Sequence, residues 1–277
     1  MKCLVTGATG FIGGELCRRL RQRGVEVAET GRESPGDEQL SGCQLVFHAA
    51  GVAHRAASAA DYEAFNHSAT LDLASRASKA GVRRFVFLSS VNAGPDAEPY
   101  GFWKWTTEQA LTADYAGTSM QVVHVRPALV YGPGAKANLK LLIAAVRRGL
   151  PMPPVGSPRS MVGLGDLCEA LTLLLDVDPG HGQVLVASDG QAYDIQRIVR
   201  AFAVAAGRSP GEPWLPRWCW RSGCFLLDVI RRRTPGASYE QLFGGDEHSN
   251  TALREALGWQ PTQCLEDVAA AMVEAQD

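Results

Sequence analysis

The most constraining feature of this 277-residue chain is its opening. Cys3 to Val5 form a short apolar run, Thr6 follows, and glycines then fall at Gly7, Gly10 and Gly13. Ile12, Leu16, Cys17 and Leu20 repeat at helical spacing directly after, opposite Glu15, Arg18, Arg19 and Arg21. Strand, glycine turn and helix in that order form the context in which such glycines cradle a dinucleotide. Gly7 permits the tight turn, Gly10 lets a diphosphate approach the backbone, and Gly13 lets helix and strand pack closely. The helix N-terminus offers free N–H groups to the diphosphate. On this reading Gly7, Thr9, Gly10, Phe11, Ile12 and Gly13 are the cofactor contacts of the turn.

Apolar residues make up 46% of the chain, ample for a sizeable core. A net charge of −2 gives no bulk electrostatic basis for binding nucleic acid. The seven cysteines are odd in number and show no Cys-x-x-Cys, so they read as small core residues in a reducing compartment, and no metal site is expected. No charged-then-apolar leader opens the sequence, and no apolar run reaches the ~18 residues a membrane helix needs. A cytoplasmic protein without an integral membrane segment is expected.

Strand-like runs at 25–30, 44–49, 84–88, 121–125 and 183–187 alternate with helical patterns, including a single helix over 61–80 carrying Tyr62, Phe65, Ala69, Leu73 and Ala77. Such alternation predicts an α/β fold with a parallel sheet covered by helices on both faces. Beyond Ser188 the pattern becomes mainly helical, at 194–206, 216–233 and 265–274. The expected division is a dinucleotide-binding domain over 1–134 and 161–189, and a smaller, mostly C-terminal substrate domain over 135–160 and 190–277.

The second strand ends in Thr30-Gly31-Arg32-Glu33. An acid here bonds a ribose 2′-hydroxyl, whereas an arginine accommodates a 2′-phosphate. Arg32 therefore favours NADP, with NAD kept as the alternative because of Glu33. His48-Ala49-Ala50 close the next strand with small residues that let a flat ring approach the backbone. The loop after Val52 offers His54 as a substrate contact.

Tyr100 and Lys104 stand one helical turn apart, so both side chains project from one face. A free tyrosine titrates near 10, and a neighbouring cation is expected to lower that value. Ser90 closes the preceding strand, where ligands bind in open parallel sheets. Its hydroxyl is placed to hold a substrate oxygen while Tyr100 transfers the proton. The constellation predicts carbonyl–alcohol interconversion beside a nicotinamide.

Thr6-Gly7-Ala8-Thr9-Gly10-Phe11-Ile12-Gly13, Ser89-Ser90, Tyr100-Gly101-Phe102-Trp103-Lys104 and Arg126-Pro127 through Tyr131-Gly132-Pro133-Gly134 together resemble the extended short-chain dehydrogenase/reductases. This is the NAD-dependent epimerase/dehydratase family, in its UDP-sugar 4-epimerase and 4-ketosugar reductase branch. The resemblance implies a Rossmann-type doubly wound sheet. It implies that Lys104 bonds the nicotinamide ribose, that Pro127 lines the nicotinamide pocket and that Asn66 supports the active site. It further implies that Asn138 and Arg159 hold a sugar diphosphate. Val91 and Asn92 stand where dehydratases carry an Asp-Glu pair, which argues against water elimination.

The implied activity is reduction of a UDP-4-keto-hexose at C4 in bacterial surface polysaccharide biosynthesis. The alternatives are 4-epimerisation of a UDP-hexose or UDP-N-acetylhexosamine with tightly held NAD, and a non-catalytic NADP-sensing binding protein. A homodimer is expected from the family. The Trp- and Arg-rich stretch 213–233 reads either as a substrate-domain helix with a solvated basic end or as a membrane-surface helix.

Overall fold

The computed structural model describes the chain except residues 32, 53–57, 232–233 and 277. The elements run β1 (Lys2–Thr6), α1 (Phe11–Gln22), β2 (Glu26–Thr30), α2 (Asp37–Leu40), β3 (Leu45–His48), α3 (Ala59–Tyr62), a π-helical segment (Glu63–Ser68), α4 (Ala69–Lys79), β4 (Arg84–Leu88), α5 (Pro99–Asp114) and β5 (Gln121–Pro127). The chain continues through β6 (Leu129–Tyr131), α6 (Ala137–Arg147), β7 (Arg159–Gly163), α7 (Leu164–Leu173), β8 (Gln183–Ala187), β9 (Ala192–Tyr193) and α8 (Ile195–Ala205). It ends with α9 (Arg217–Arg231), α10 (Ala237–Phe243), α11 (Thr251–Leu257) and α12 (Leu265–Glu274).

Two compact units result: 1–128 with 164–187 and 250–260, and 129–163 with 188–249 and 261–277. The first carries a six-stranded sheet in the order β2-β1-β3-β4-β5-β8, every pair parallel. The apolar runs seen in the sequence are its strands. Cys3, Leu4 and Val5 are fully buried, as near-continuous apolar strands in a sheet covered on both faces should be. From β1 the chain steps to β2 on one side, then crosses to β3 on the other. The carboxyl ends of β1 and β3 therefore form the switch point at which open α/β sheets bind ligands. Register places Thr6 beside both Thr30 and His48 at that edge.

Leu40, Leu73, Ala74, Ala77 and Leu111 from α2, α4 and α5 cover one face, packing on Leu4, Val46, Phe85, Phe87 and Val122. Helix α1 packs beside α7. Between β2 and β3 only the four-residue α2 forms, so β2 remains the edge strand. Asp37, at the start of α2, is paired with Arg76 at 3.1 Å.

The single helix expected over 61–80 is a composite. The π segment shifts the phase, so Tyr62, Asn66, Thr70, Leu73, Ala74 and Ala77 face inward. Phe65, expected on the apolar face, is 57% exposed.

In the second unit a three-stranded sheet, β6-β7-β9, was not anticipated. Strands of two to five residues have too few positions to show an alternation. Behind it, the phenols of Tyr131 and Tyr193 both donate to the buried Asp189 carboxylate, at 2.8 and 2.7 Å. Tyr131, quoted above only as part of a glycine-proline turn, is thus a fully buried clamp on this sheet. Helix α8 packs against α6 and α12, and α9 against α10.

All seven cysteines are free; five are buried, and Cys219 and Cys264 are partly exposed. Among the described residues no helix is long and apolar enough to cross a membrane, and no cluster could hold a metal ion.

Candidate active site

The glycine turn is built as its spacing demands. Gly7 sits at φ +70°, and a Cβ there would come within 2.8 Å of the Ala49 carbonyl carbon. A Cβ on Gly13 would lie 2.2 Å from the Gly7 oxygen, so only glycine lets α1 start so close to the turn. Backbone bonds from Gly7 N to Gly31 O and from Ala8 N to Thr30 O, at 3.2 and 2.9 Å, fasten the turn to the end of β2. Gly10 is the N-cap of α1 and has no side chain with which to cap it. The first-turn amides, Phe11 and Ile12 among them, have no intrahelical acceptors and are free to meet a diphosphate. Thr9 and Gly10 are exposed at the mouth of the turn. These features fit a dinucleotide. Arg32 lies outside the described residues, as does His54.

Beneath the turn runs a chain of buried hydrogen bonds. Ala50 N donates to Thr6 Oγ1 at 3.3 Å, and Thr6 Oγ1 meets His48 Nδ1 at 2.7 Å. His48 Nε2 meets Thr70 Oγ1 at 3.0 Å, and Thr70 donates to the Asn66 carbonyl at 3.0 Å. Every member is satisfied when His48 carries its proton on Nε2 and accepts from Thr6. Burial, with a smaller contribution from Lys104, pushes His48 down to about 3, so the ring stays neutral. Its place is structural: it ties the Ala49-Ala50 turn to the π segment. In that segment the Asn66 carbonyl accepts from Thr70 and Thr107, while its amide clamps the Val52 backbone at 2.8 and 3.1 Å. A Cβ on Gly51 would lie 3.1 Å from Asn66 Oδ1 and 3.5 Å from Lys104 Nζ.

Helix α5 starts at Pro99, which suits a first helical position. Tyr100 follows, and the nearby Ser90 hydroxyl, just past β4, favours its ionised form. Gly101 makes this approach possible, since a Cβ there would lie 2.1 Å from the Asn92 carbonyl oxygen. The Tyr62 ring stands edge-on to Tyr100 at 5.9 Å.

Lys104 is buried. Its ammonium donates to Leu88 O at 2.7 Å and lies 4.4 Å from the centroid of the Phe87 ring. Burial lowers Lys104 to about 8, against the opposing pull of Glu108. Glu108, one turn further on, is fully buried and forms a two-pronged ion pair with Arg126.

The expectation that Lys104 depresses the Tyr100 pKa is corrected here. Burial dominates and pushes Tyr100 up to about 12; the Ser90 hydroxyl only partly offsets this. The lysine is turned toward Leu88 O and the Phe87 ring instead.

Ser90, Tyr100, Lys104, His48, Ala49, Ala50 and the glycine turn all belong to the first unit. Pro127 ends β5, where its carbonyl accepts from Val91 N at 3.3 Å. Asn138 and Arg159 belong to the second unit. Asn138 stands in the first turn of α6. Arg159 opens β7, and its guanidinium donates to the carbonyls of Gln241, Leu242 and Gly244. The reading from sequence gave no site role to Thr6, Thr70, Thr107, Gly51, Gly101 or Glu108. Only Glu108 left a signal, its spacing of four from Lys104.

The chain belongs to the NAD dependent epimerase/dehydratase family, whose model matches residues 3–187. It is an NAD(P)-dependent enzyme of the extended short-chain dehydrogenase/reductase type. A UDP-glucose 4-epimerase of Vibrio cholerae is 28% identical over 95% of this chain and 92% of its own length. A UDP-2-acetamido-2,6-beta-L-arabino-hexul-4-ose reductase of Pseudomonas aeruginosa is 32% identical over 52% of this chain and 40% of its own. Among solved structures, MoeE5 in complex with UDP-glucose and NAD superposes with a TM-score of 0.78. That match is at 25% identity and covers 99% of this chain and 98% of the other.

Proposed function

We propose that this enzyme reduces a UDP-4-keto-hexose at C4, using NADPH. The observation that carries this reading is Tyr100, its phenol kept protonated by burial, in one unit with Ser90, the buried Lys104 and the Gly7–Gly13 turn. A phenol that keeps its proton at neutral pH is in the form a carbonyl under reduction requires.

A nicotinamide dinucleotide would be held by the Gly7–Gly13 turn, the α1 N-terminus and Ala49-Ala50, and would supply the hydride. Ser90 Oγ holds the sugar oxygen in line with Tyr100 Oη, and Tyr100 passes its proton to that oxygen. Lys104, fixed by Leu88 O, presents its ammonium to the ribose. Burial of these groups strengthens each interaction by excluding water.

On the cofactor side, Glu29 is held by Arg21 at 2.7 Å and so is not offered to a ribose. Arg32 follows the strand and would meet a 2′-phosphate. Arg32→Ala is expected to weaken NADPH by about tenfold or more while sparing NADH. Equal losses for both would remove the cofactor assignment. Asn138 and Arg159, both in the second unit, are proposed as contacts to a sugar diphosphate, and a surface-polysaccharide role is proposed from the family resemblance.

The test is turnover of a UDP-4-keto-hexose with NADPH by the wild type and by Tyr100→Phe. Consumption of NADPH by the first and not the second supports the reading. Oxidation by Tyr100→Phe at the wild-type rate overturns it. Epimerisation at C4 is the second reading, favoured by the near full-length likeness to the Vibrio cholerae epimerase. It predicts interconversion of UDP-hexoses without added cofactor.

A further inference from the structure

Helix α9 is built inside out. Of its fifteen residues only Cys224 and Asp228 are buried. Projected at 100° per residue, Phe225, Trp218, Val229, Ser222, Leu226, Cys219, Ile230, Gly223 and Leu227 occupy one continuous sector without a charge. The large side chains of that sector are 41% (Leu227) to 70% (Trp218) exposed, and Trp214, just before the helix, is 72% exposed. These values describe an apolar surface turned to solvent rather than a core stripe.

The inward side mixes apolar and polar groups, with the Trp220 ring meeting Phe243 at 5.9 Å beside Asp228. The Asp228 carboxylate accepts from the backbone N–H groups of Gly236 and Ser238, at 2.9 and 3.0 Å, and so fixes the turn into α10. Arg217 donates to Val155 O at 2.7 Å, and the guanidinium of Arg221 lies 5.7 Å from the centroid of the Tyr239 ring. Soluble surfaces do not leave this much contiguous apolar area uncovered without a partner.

We propose that α9 docks the protein onto the surface of an anionic lipid bilayer. Charge names this partner over others. The stretch 213–233 holds five arginines, Arg217, Arg221, Arg231, Arg232 and Arg233, against one acid, in a chain of net charge −2. The single acid of the stretch, Asp228, is buried. Arginines flanking a Trp-, Phe- and Leu-rich face are the composition of a helix that lies in the headgroup layer. At fifteen residues, α9 is about 22 Å long, short of the ~30 Å hydrocarbon core, so it lies on the membrane and does not cross it. The proposal does not depend on the reaction proposed above.

The experiment is flotation of the full chain with phosphatidylcholine vesicles, with and without phosphatidylglycerol, at low and high salt. The wild type should float with the phosphatidylglycerol vesicles, about tenfold or more better than with phosphatidylcholine alone, and lose that margin in high salt. Leu226→Glu with Ile230→Glu, both on the solvent side, should abolish flotation while leaving the thermal transition unchanged. Replacing Arg231, Arg232 and Arg233 with Gln should weaken it about tenfold or more. Failure to float with anionic vesicles overturns the proposal, and so does equal flotation on both kinds. If the Glu pair instead converts a dimer to a monomer without altering flotation, a second copy covers α9 and the proposal fails.

Discussion

Helices α5 and α9 both carry tryptophans and both depart from the amphipathic rule, in opposite directions. Helix α5 takes charge inward: Lys104 and Glu108 are buried one turn apart, each held by a partner. Helix α9 turns apolar surface outward, with Phe225, Leu226 and Ile230 more than half exposed. A fold tolerates a buried lysine or a solvent-facing apolar stripe only where something else makes use of it. In α5 the use is chemistry beside the Gly7–Gly13 turn. In α9 it is a surface to meet.

The comparison can be broken most severely at Tyr100. Tyr100→Phe removes only the hydroxyl and should lower kcat by about 10²–10⁴-fold without altering the fold, read by steady-state kinetics and circular dichroism. Undiminished turnover would detach α5 from the chemistry. Next in size is the buried charge itself. Arg126→Leu leaves the Glu108 carboxyl buried without its partner, and should cost about 3–5 kcal/mol in denaturant unfolding. A loss under about 1 kcal/mol would mean that the pair is no more than a surface contact.

A pH scan sharpens the same contrast. His48 and His124 are buried neutral, at about 3 and about 4 against an ordinary value of 6.5, because burial disfavours the charged ring. Below 6.5 the unfolded chain binds protons that the folded one refuses. Stability is therefore full above 6.5 and declines as pH falls toward 4. A flat stability profile between 7 and 4 would contradict the buried-neutral assignment. The smallest effect belongs to α9. Leu226→Ser on its exposed side should move stability by no more than about 0.5 kcal/mol, where a core leucine would cost several.

Much of the first unit was legible because its signals are local. Glycines at fixed spacing, apolar runs and a Tyr-x-x-x-Lys pair each act over a few residues, and the sheet assembled from them as the alternation implied. The parts that escaped are long-range or depend on phase. Thr6 and Thr70 join the His48 chain only because β1, β3 and α4 meet in space. The π segment changes which residue of Phe65 and Asn66 faces inward, and nothing in the run Glu63-Ala64-Phe65-Asn66 announces an extra residue in the turn. In the second unit the short strands β6, β7 and β9 and the Tyr131–Asp189–Tyr193 clamp rest on pairings among distant segments. The direction in which α9 faces was likewise unreadable, since its pattern is amphipathic whichever side is covered.

The measurement that bears most directly on the proposed reaction is the nucleotide the folded protein carries. The purified protein is denatured and the released nucleotide is separated by chromatography and quantified against protein. The proposed reductase exchanges its cofactor at each turnover, so little nucleotide, or NADP(H), should be released. Near-stoichiometric NAD would mean a cofactor that never leaves, and would contradict net reduction in favour of epimerisation.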